Sequence, residues 1–221
     1  MLTKERVFQI MGKYYGNAHY RSAIALGIPE EDLMLTAKIL DEINALGYYF
    51  SNLHALKSTA DQRFVPIILR YYPHFISPNY NTGLIYTLSS PAYKDFVPEL
   101  LAIYEETTSP QVREDVSQVL LGIRSKKYVS EYLRIINKPD YGVNQDYMVY
   151  LLCTLRVKEV LPKLLELLEQ NPHGWRWTFL KYAAVSNEPS LLPIIEPYLE
   201  SDDSELRLLA RKAIKKLSDR L

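Results

Sequence analysis

Cysteine is nearly absent from this chain. Its 221 residues hold one, Cys153, so no internal disulfide can form, and a single thiol cannot by itself supply a zinc site. Net charge is absent too. The 26 Lys and Arg residues balance 26 Asp and Glu, which argues against a chain-wide basic footprint for nucleic acid but leaves room for a local patch. No apolar run approaches the length of a membrane span. Residues 1–12 are interrupted by Lys4, Glu5, Arg6 and Gln9, where a signal peptide would be continuously apolar. These absences predict a soluble protein in the reducing cytoplasm.

Recognisable reaction chemistry is missing as well. There is no phosphate-cradling glycine loop, no H-E-x-x-H, no paired Cys-x-x-Cys and no G-x-S-x-G. His19, His54, His74 and His173 are isolated in sequence, and the last two fall at expected turns, where solvated polar residues are common. Cys153 lies among apolar residues of an expected helix and reads as a small core residue. The acid pairs Glu105-Glu106 and Asp202-Asp203 end one helix or cap the next. The expectation is no catalytic residue, no metal, no cofactor and no enzymatic activity.

Periodicity is what the chain does have. Four segments share an apolar residue, a proline and a short amphipathic run: Phe64-Val65-Pro66-Ile67-Ile68-Leu69, Phe96-Val97-Pro98-Glu99-Leu100-Leu101, Val160-Leu161-Pro162-Lys163-Leu164-Leu165 and Leu191-Leu192-Pro193-Ile194-Ile195-Glu196. A fifth, Tyr128-Val129-Ser130-Glu131-Tyr132-Leu133, has serine for proline. The steps from 66 to 98, 130, 162 and 193 are 32, 32, 32 and 31 residues. Proline is tolerated in a first helical turn because the N–H there has no intrahelical partner. Each segment therefore predicts the start of a helix.

A second helix follows in phase. Val112, Val116, Val119, Leu120 and Ile123 form an apolar stripe at helical spacing. Repeat steps carry that stripe to Met148, Leu151, Leu152 and Leu155, then to Phe179, Tyr182, Ala183 and Ser186, and then to Ala210, Ala213, Ile214 and Leu217. The first unit offers Leu84, Thr87, Leu88 and Pro91. Two short helices cannot bury their apolar faces alone, and stacking of successive pairs would bury them.

The apolar-Pro-x-Leu-Leu helix, the acidic or Ser/Pro turn, and the arginine opening the second helix in Val112-Arg113 and Leu206-Arg207 resemble HEAT repeats over residues 64 to 218. The resemblance implies an all-α solenoid of about five helical hairpins, with scaffold and recognition roles. It also implies that Arg113, Arg176 and Arg207 form a structural ladder by pairing with acids in turns. The same column holds Asn81 and Gln145, so two of five units depart from the pattern.

Residues 1–62 do not fit the register and read as a divergent helical N-terminal cap on the repeat array 63–221. Its helices are expected near 3–14, 18–26, 30–46 and 48–58, broken at Gly16, at Gly27-Ile28-Pro29 and at Gly47. At the other end, a helix over 204–217 has an apolar face and a wet face carrying Arg207, Arg211, Lys212, Lys215 and Lys216, as a terminal repeat should.

Columns expected on the exposed side of the second helices carry the functional expectation. One reads Tyr86, Gln118, Tyr150, Lys181 and Lys212. A second passes through Asp115 and Tyr147, and a third through Glu114, Asp146 and Trp177. The expected partner-binding set on a concave face is Tyr86, Glu114, Asp115, Gln118, Asp146, Tyr147, Tyr150, Trp177 and Lys181. Exposed aromatics beside acids suit a protein or peptide bearing basic or apolar anchors. A non-enzymatic recognition module follows: an adaptor, a regulatory subunit or an immunity-type protein without contact to a membrane. The rival is a DNA-binding or DNA-repair protein similar to HEAT-like alkylpurine glycosylases, with Trp175, Trp177 and Asp146 around an extruded base. The mixed charge of the face opposes it, since phosphate contacts dominate nucleic-acid affinity. A third possibility, a chaperone-like lyase or cofactor-attachment helper, has no residue in its favour.

Overall fold

The computed structural model describes residues 27–50, 53, 56, 59–77, 83–138 and 145–219. The helices expected near 3–14 and 18–26, and Asn81 of the arginine column, lie outside the described residues. The protein is all-α. Among the described residues every regular element is an α-helix or a 3-10 helix, and there is no strand. No helix among them is long and apolar enough to cross a membrane. The chain divides into two compact units, Met1–Ser125 and Lys126–Leu221.

In the first unit the α-helices described over their whole length are α1 (Glu30–Ala45), α2 (Phe64–Tyr71), α3 (Val97–Glu106) and α4 (Pro110–Ile123). Helix α1 opens with Glu30, Glu31 and Asp32 at its positive end. Asp32 is fully buried and accepts hydrogen bonds from the backbone N–H groups of Ile76 at 2.8 Å and Ser77 at 2.7 Å. One carboxylate thus anchors the chain after α2, 44 and 45 residues away in sequence. Helix α1 packs on α2, and α3 packs on α4. Helix α4 also packs on the 3-10 segments Tyr86–Leu88 and Pro91–Phe96. Gly122 permits that approach, because a Cβ there would lie 1.8 Å from Ser89 Oγ.

The helix expected over 48–58 does not begin where the sequence suggested: residues 48–50 are irregular, and Leu53 and Leu56 are in 3-10 conformation. Local competition explains the difference. Gly47, at φ +98°, reverses the chain, and the Asn44 side chain takes both backbone groups of Phe50, accepting from its N–H at 2.8 Å and donating to its C=O at 3.0 Å. Freed from a helix, Tyr48 stacks on Phe50 with centroids 5.2 Å apart and meets Phe64 edge-on at 4.9 Å.

The second unit contains α5 (Val129–Ile136), α6 (Asp146–Thr154), α7 (Leu161–Gln170), α8 (Pro172–Ser186), α9 (Leu192–Ile195) and α10 (Ser204–Ser218). Helix α5 packs on α6, and α7 on α8. Helix α10 packs on α8, on α9 and on the 3-10 turn Glu196–Glu200. The repeat register is visible residue by residue. Pro98, Ser130, Pro162 and Pro193 each occupy the second position of a helix, and Pro66 the third. The caps recur as well. Ser109, Asn171 and Asp203 accept hydrogen bonds from first-turn N–H groups of α4, α8 and α10. Helices α4, α6 and α8 are followed by Arg124, Arg156 and Asn187 in the left-handed region, at φ 53°, 62° and 61°, in steps of 32 and 31 residues.

The apolar stripe is the core of both units. Val116, Val119, Leu120, Met148, Leu151, Leu152, Phe179, Ala183, Ala210 and Ala213 are fully buried, while Ile214 is half-buried and Pro91 exposed. Truncation of Leu120 or Leu152 leaves a cavity between helices. Leu120→Ala and Leu152→Ala should each lower stability in urea unfolding by about 2–4 kcal/mol. A parent-like midpoint for either would place that side chain outside the packed interior.

Residues of the arginine column reach backbone carbonyls. Arg113 donates through Nε to the carbonyl of Tyr104 at 3.3 Å and through a terminal nitrogen to that of Thr107 at 2.6 Å. Gln145, at the equivalent place, donates to the carbonyls of Ile135 and Lys138, and Arg207 donates to that of Ser201. In each case a donor at the start of the second helix reaches carbonyls where the first helix ends, inside one hairpin. Such carbonyls have no intrahelical partner. Arg176 departs from this pattern: its Nε is buried without a hydrogen-bond partner. Because Gln145 is 4% exposed, Gln145→Ala would strand two carbonyls and should cost about 1–3 kcal/mol in denaturant unfolding. An unchanged transition would show that those carbonyls find water instead.

Candidate binding face on helices α6 and α8

The expected partner-binding residues fall in both units. In the first, Tyr86 and Gln118 are half-buried, and Gln118 Nε2 donates to Glu114 at 3.2 Å, one helical turn earlier on α4. Asp115 corrects the column reading. It is 1% exposed and accepts a hydrogen bond from Gln111 Nε2 at 3.0 Å, so it belongs to the interior. The reason is helical phase: Asp115 is adjacent to the fully buried Val116, well within the arc that the helix packs inward. Its charge, after the larger effect of burial, helps hold the Tyr72 phenol above its ordinary pKa.

The second unit brings its candidates closer together. Asp146 and Tyr147 open α6, and Tyr150 lies one turn on. Tyr147 is half-buried, while Tyr150 is 38% exposed. Trp177, on α8, is half-buried, and its ring lies 5.7 Å from the Lys181 ammonium in a cation–π contact. Asp146, Tyr147 and Tyr150 line a shallow hollow of about 220 Å³ together with Asn171, Gly174, Trp175 and Thr178. A larger cavity of about 530 Å³ adjoins it and shares Asp146, Asn171 and Trp175. Its other walls come from the end of α5, from Gln145, and from Lys163, Glu166, Leu167 and Gln170 of α7.

Column reasoning had placed Trp177 on this face and left Trp175 out of the partner-binding set. Trp175 is only 7% exposed, yet it walls both hollows. The available signal was its column, where repeat steps find Val112 and Leu206; a tryptophan among aliphatic residues is more than repeat packing needs. The polar residues of α7 were also missed, because they sit on first helices, outside the columns considered. Gly174 and Asn171 are coupled: Asn171 Oδ1 caps α8 by accepting from Gly174 N–H at 3.1 Å, and a Cβ at position 174 would lie 2.7 Å from that side chain. Cys153, also on α6, is buried, and burial pushes its thiol up to about 12. His74 and His173 are exposed. Among the described residues no group of three or more His, Cys, Asp and Glu side chains could hold a metal ion.

The charges on this face are unevenly matched. Lys163 Nζ bonds Glu166 at 2.9 Å, one turn along α7, and Gln170 Nε2 adds a contact to the same carboxylate at 3.2 Å. These bonds, that from Lys163 first, hold the Glu166 carboxyl below its ordinary pKa. Asp146 makes no hydrogen bond or ion pair with any described residue. Burial raises its carboxyl above the ordinary aspartate value, against an opposing longer-range pull from Lys163.

A raised carboxyl pKa means that the folded state holds its proton more tightly than the unfolded chain. The stability it contributes is present below the unfolded pKa and is lost as pH rises through the folded one. Asp146→Asn removes that dependence. The stability of the parent relative to the variant should therefore fall as pH rises from about 3 to 7, measured by urea unfolding at each pH. A difference that grew in the parent's favour would mean that the carboxylate is stabilised in the fold. Comparison with known proteins finds no family model that matches the chain and no curated protein with significant similarity to it.

Proposed function

We propose that this chain is a non-enzymatic, cytoplasmic protein-recognition module of the HEAT-like α-solenoid kind, acting as an adaptor, a regulatory subunit or an immunity-type protein. The recurrence of helix starts, caps and left-handed helix ends at steps of 31 and 32 residues supports the repeat reading. So does the donor column Arg113, Gln145 and Arg207, which meets the same need in three of the hairpins. Recognition is placed on α6 and α8 of the second unit, and one observation carries it. Tyr147, Tyr150, Trp175 and Asp146, which has no ion-pair partner among the described residues, share one hollow, with Trp177 and Lys181 on the same helix as Trp175. Aromatic rings around a hollow supply large contact area with little rotamer entropy to lose, the composition of an interface centre. The mixed charge favours a polypeptide over a phosphate backbone.

Affinity purification with the intact protein, followed by titration of the recovered partner in purified form, tests this. Tyr150→Ala and Trp177→Ala should each weaken binding by about thirtyfold, corresponding to about 2 kcal/mol, with far-ultraviolet circular dichroism unchanged. Duplex and single-stranded oligonucleotides titrated at two salt concentrations form the opposing arm. Tight binding that falls steeply with salt and is abolished by charge reversal at Lys181 and Lys212 would replace the protein-partner reading with a nucleic-acid one.

A further inference from the structure

We infer that the hollow shared by α6 and α8 is a seat for one guanidinium group, an arginine side chain presented by the partner polypeptide; this rests on the recognition function proposed above. Three observations converge. The first is size. A hollow of about 220 Å³ has room for roughly seven waters. That is below the roughly 300 Å³ at which small-molecule pockets begin, and it suits a single long side chain. The adjoining cavity of about 530 Å³ leaves space for the partner's neighbouring residues.

The second observation is charge. Asp146 lines both hollows, is half-buried, and makes no hydrogen bond or ion pair with any described residue. The cation best placed to answer it, Lys163, is held by Glu166 at 2.9 Å. A partly desolvated carboxylate that no described residue matches gains most from a cation brought from outside. The third is the walls. Trp175, Tyr147 and Tyr150, all aromatic, line the same space. A guanidinium is planar and weakly hydrated. It stacks on aromatic rings while donating two hydrogen bonds to one carboxylate, whereas an ammonium is a strongly hydrated point charge. Asn171 adds a polar group at the rim, though its Oδ1 is already engaged with Gly174 N–H.

Acetyl-arginine amide and its neutral isostere acetyl-citrulline amide are the probes, read by the two indole N–H signals in a nitrogen–proton correlation spectrum. Trp177→Phe assigns which signal belongs to Trp175. The arginine probe should shift the Trp175 signal saturably in the intact protein, with citrulline at least about tenfold weaker and Asp146→Asn reducing the arginine response to the citrulline level. An equal response to both probes, or none to arginine, overturns the guanidinium seat, and does so in the parent protein whether or not the variant folds. That failure is separable from failure of the recognition reading. The dependence of partner binding on Tyr150 and Trp177 would survive the first and vanish in the second.

Discussion

A short helix that ends inside a packed hairpin leaves carbonyl oxygens with neither an intrahelical partner nor ready access to water. Three hairpins of this chain answer them in the same way. Helices α3 and α5 are only 10 and 8 residues long, so their terminal carbonyls are a large share of each helix. The solution is a donor at the entrance to the next helix. Arg113 takes two carbonyls and Gln145 takes two, while Arg207 takes that of Ser201 after the turn 196–200. This contact fixes where the second helix begins relative to the end of the first. It therefore sets the phase with which Val116, Leu120, Leu151 and Leu152 meet their neighbours in the core. Arginine and glutamine are interchangeable here because the requirement is for two N–H donors on a reaching side chain, not for charge.

That geometric reading also explains why the hairpins tolerate so little glycine and so many unusual helix ends. The chain has 8 glycines, and the left-handed positions after α4, α6 and α8 are filled by Arg124, Arg156 and Asn187. An arginine in that conformation costs about 1 kcal/mol or more relative to glycine. The hydrogen bond from Arg124 Nε to the carbonyl of Leu121 at 3.2 Å offsets part of it. Stability in each unit comes from packing across helices rather than from helix ends of high intrinsic preference.

Helix starts from Pro66 onward, the core stripe and the cap at Asp203 were legible in the sequence because each depends on local chemistry at fixed spacing. Three things were not. The turn after Gly47 follows from Asn44 holding both backbone groups of Phe50, a contact with no periodic signature. The burial of Asp115 was hidden because column reasoning carries a position from repeat to repeat as though every helix were rotated identically. The structure turns α4 so that Asp115 faces inward, while its column counterpart on α6, Tyr147, stays half-buried. The polar groups of α7 that wall the larger cavity were missed because only second helices were searched for function. The candidate site was thus half legible: its residue types stand in the columns, while the hollow they line follows from packing alone.

The position of the site within the unit is itself informative. Trp175 lies in the first turn of α8, beside the Asn171 cap, and Asp146 is the first residue of α6, directly after the clamp residue Gln145. Both side chains of the candidate site are therefore attached to backbone that a cap or a clamp has already fixed, and Trp175 is further held by its burial. Under the proposed recognition role, a site on such ends would lose little conformational freedom on binding. The same placement explains why the cost of Asp146 is bearable: its carboxylate sits at the positive end of α6, where the helix dipole compensates part of its desolvation. The residual mismatch, an acid that burial raises above its ordinary pKa, is what the proposed guanidinium would relieve.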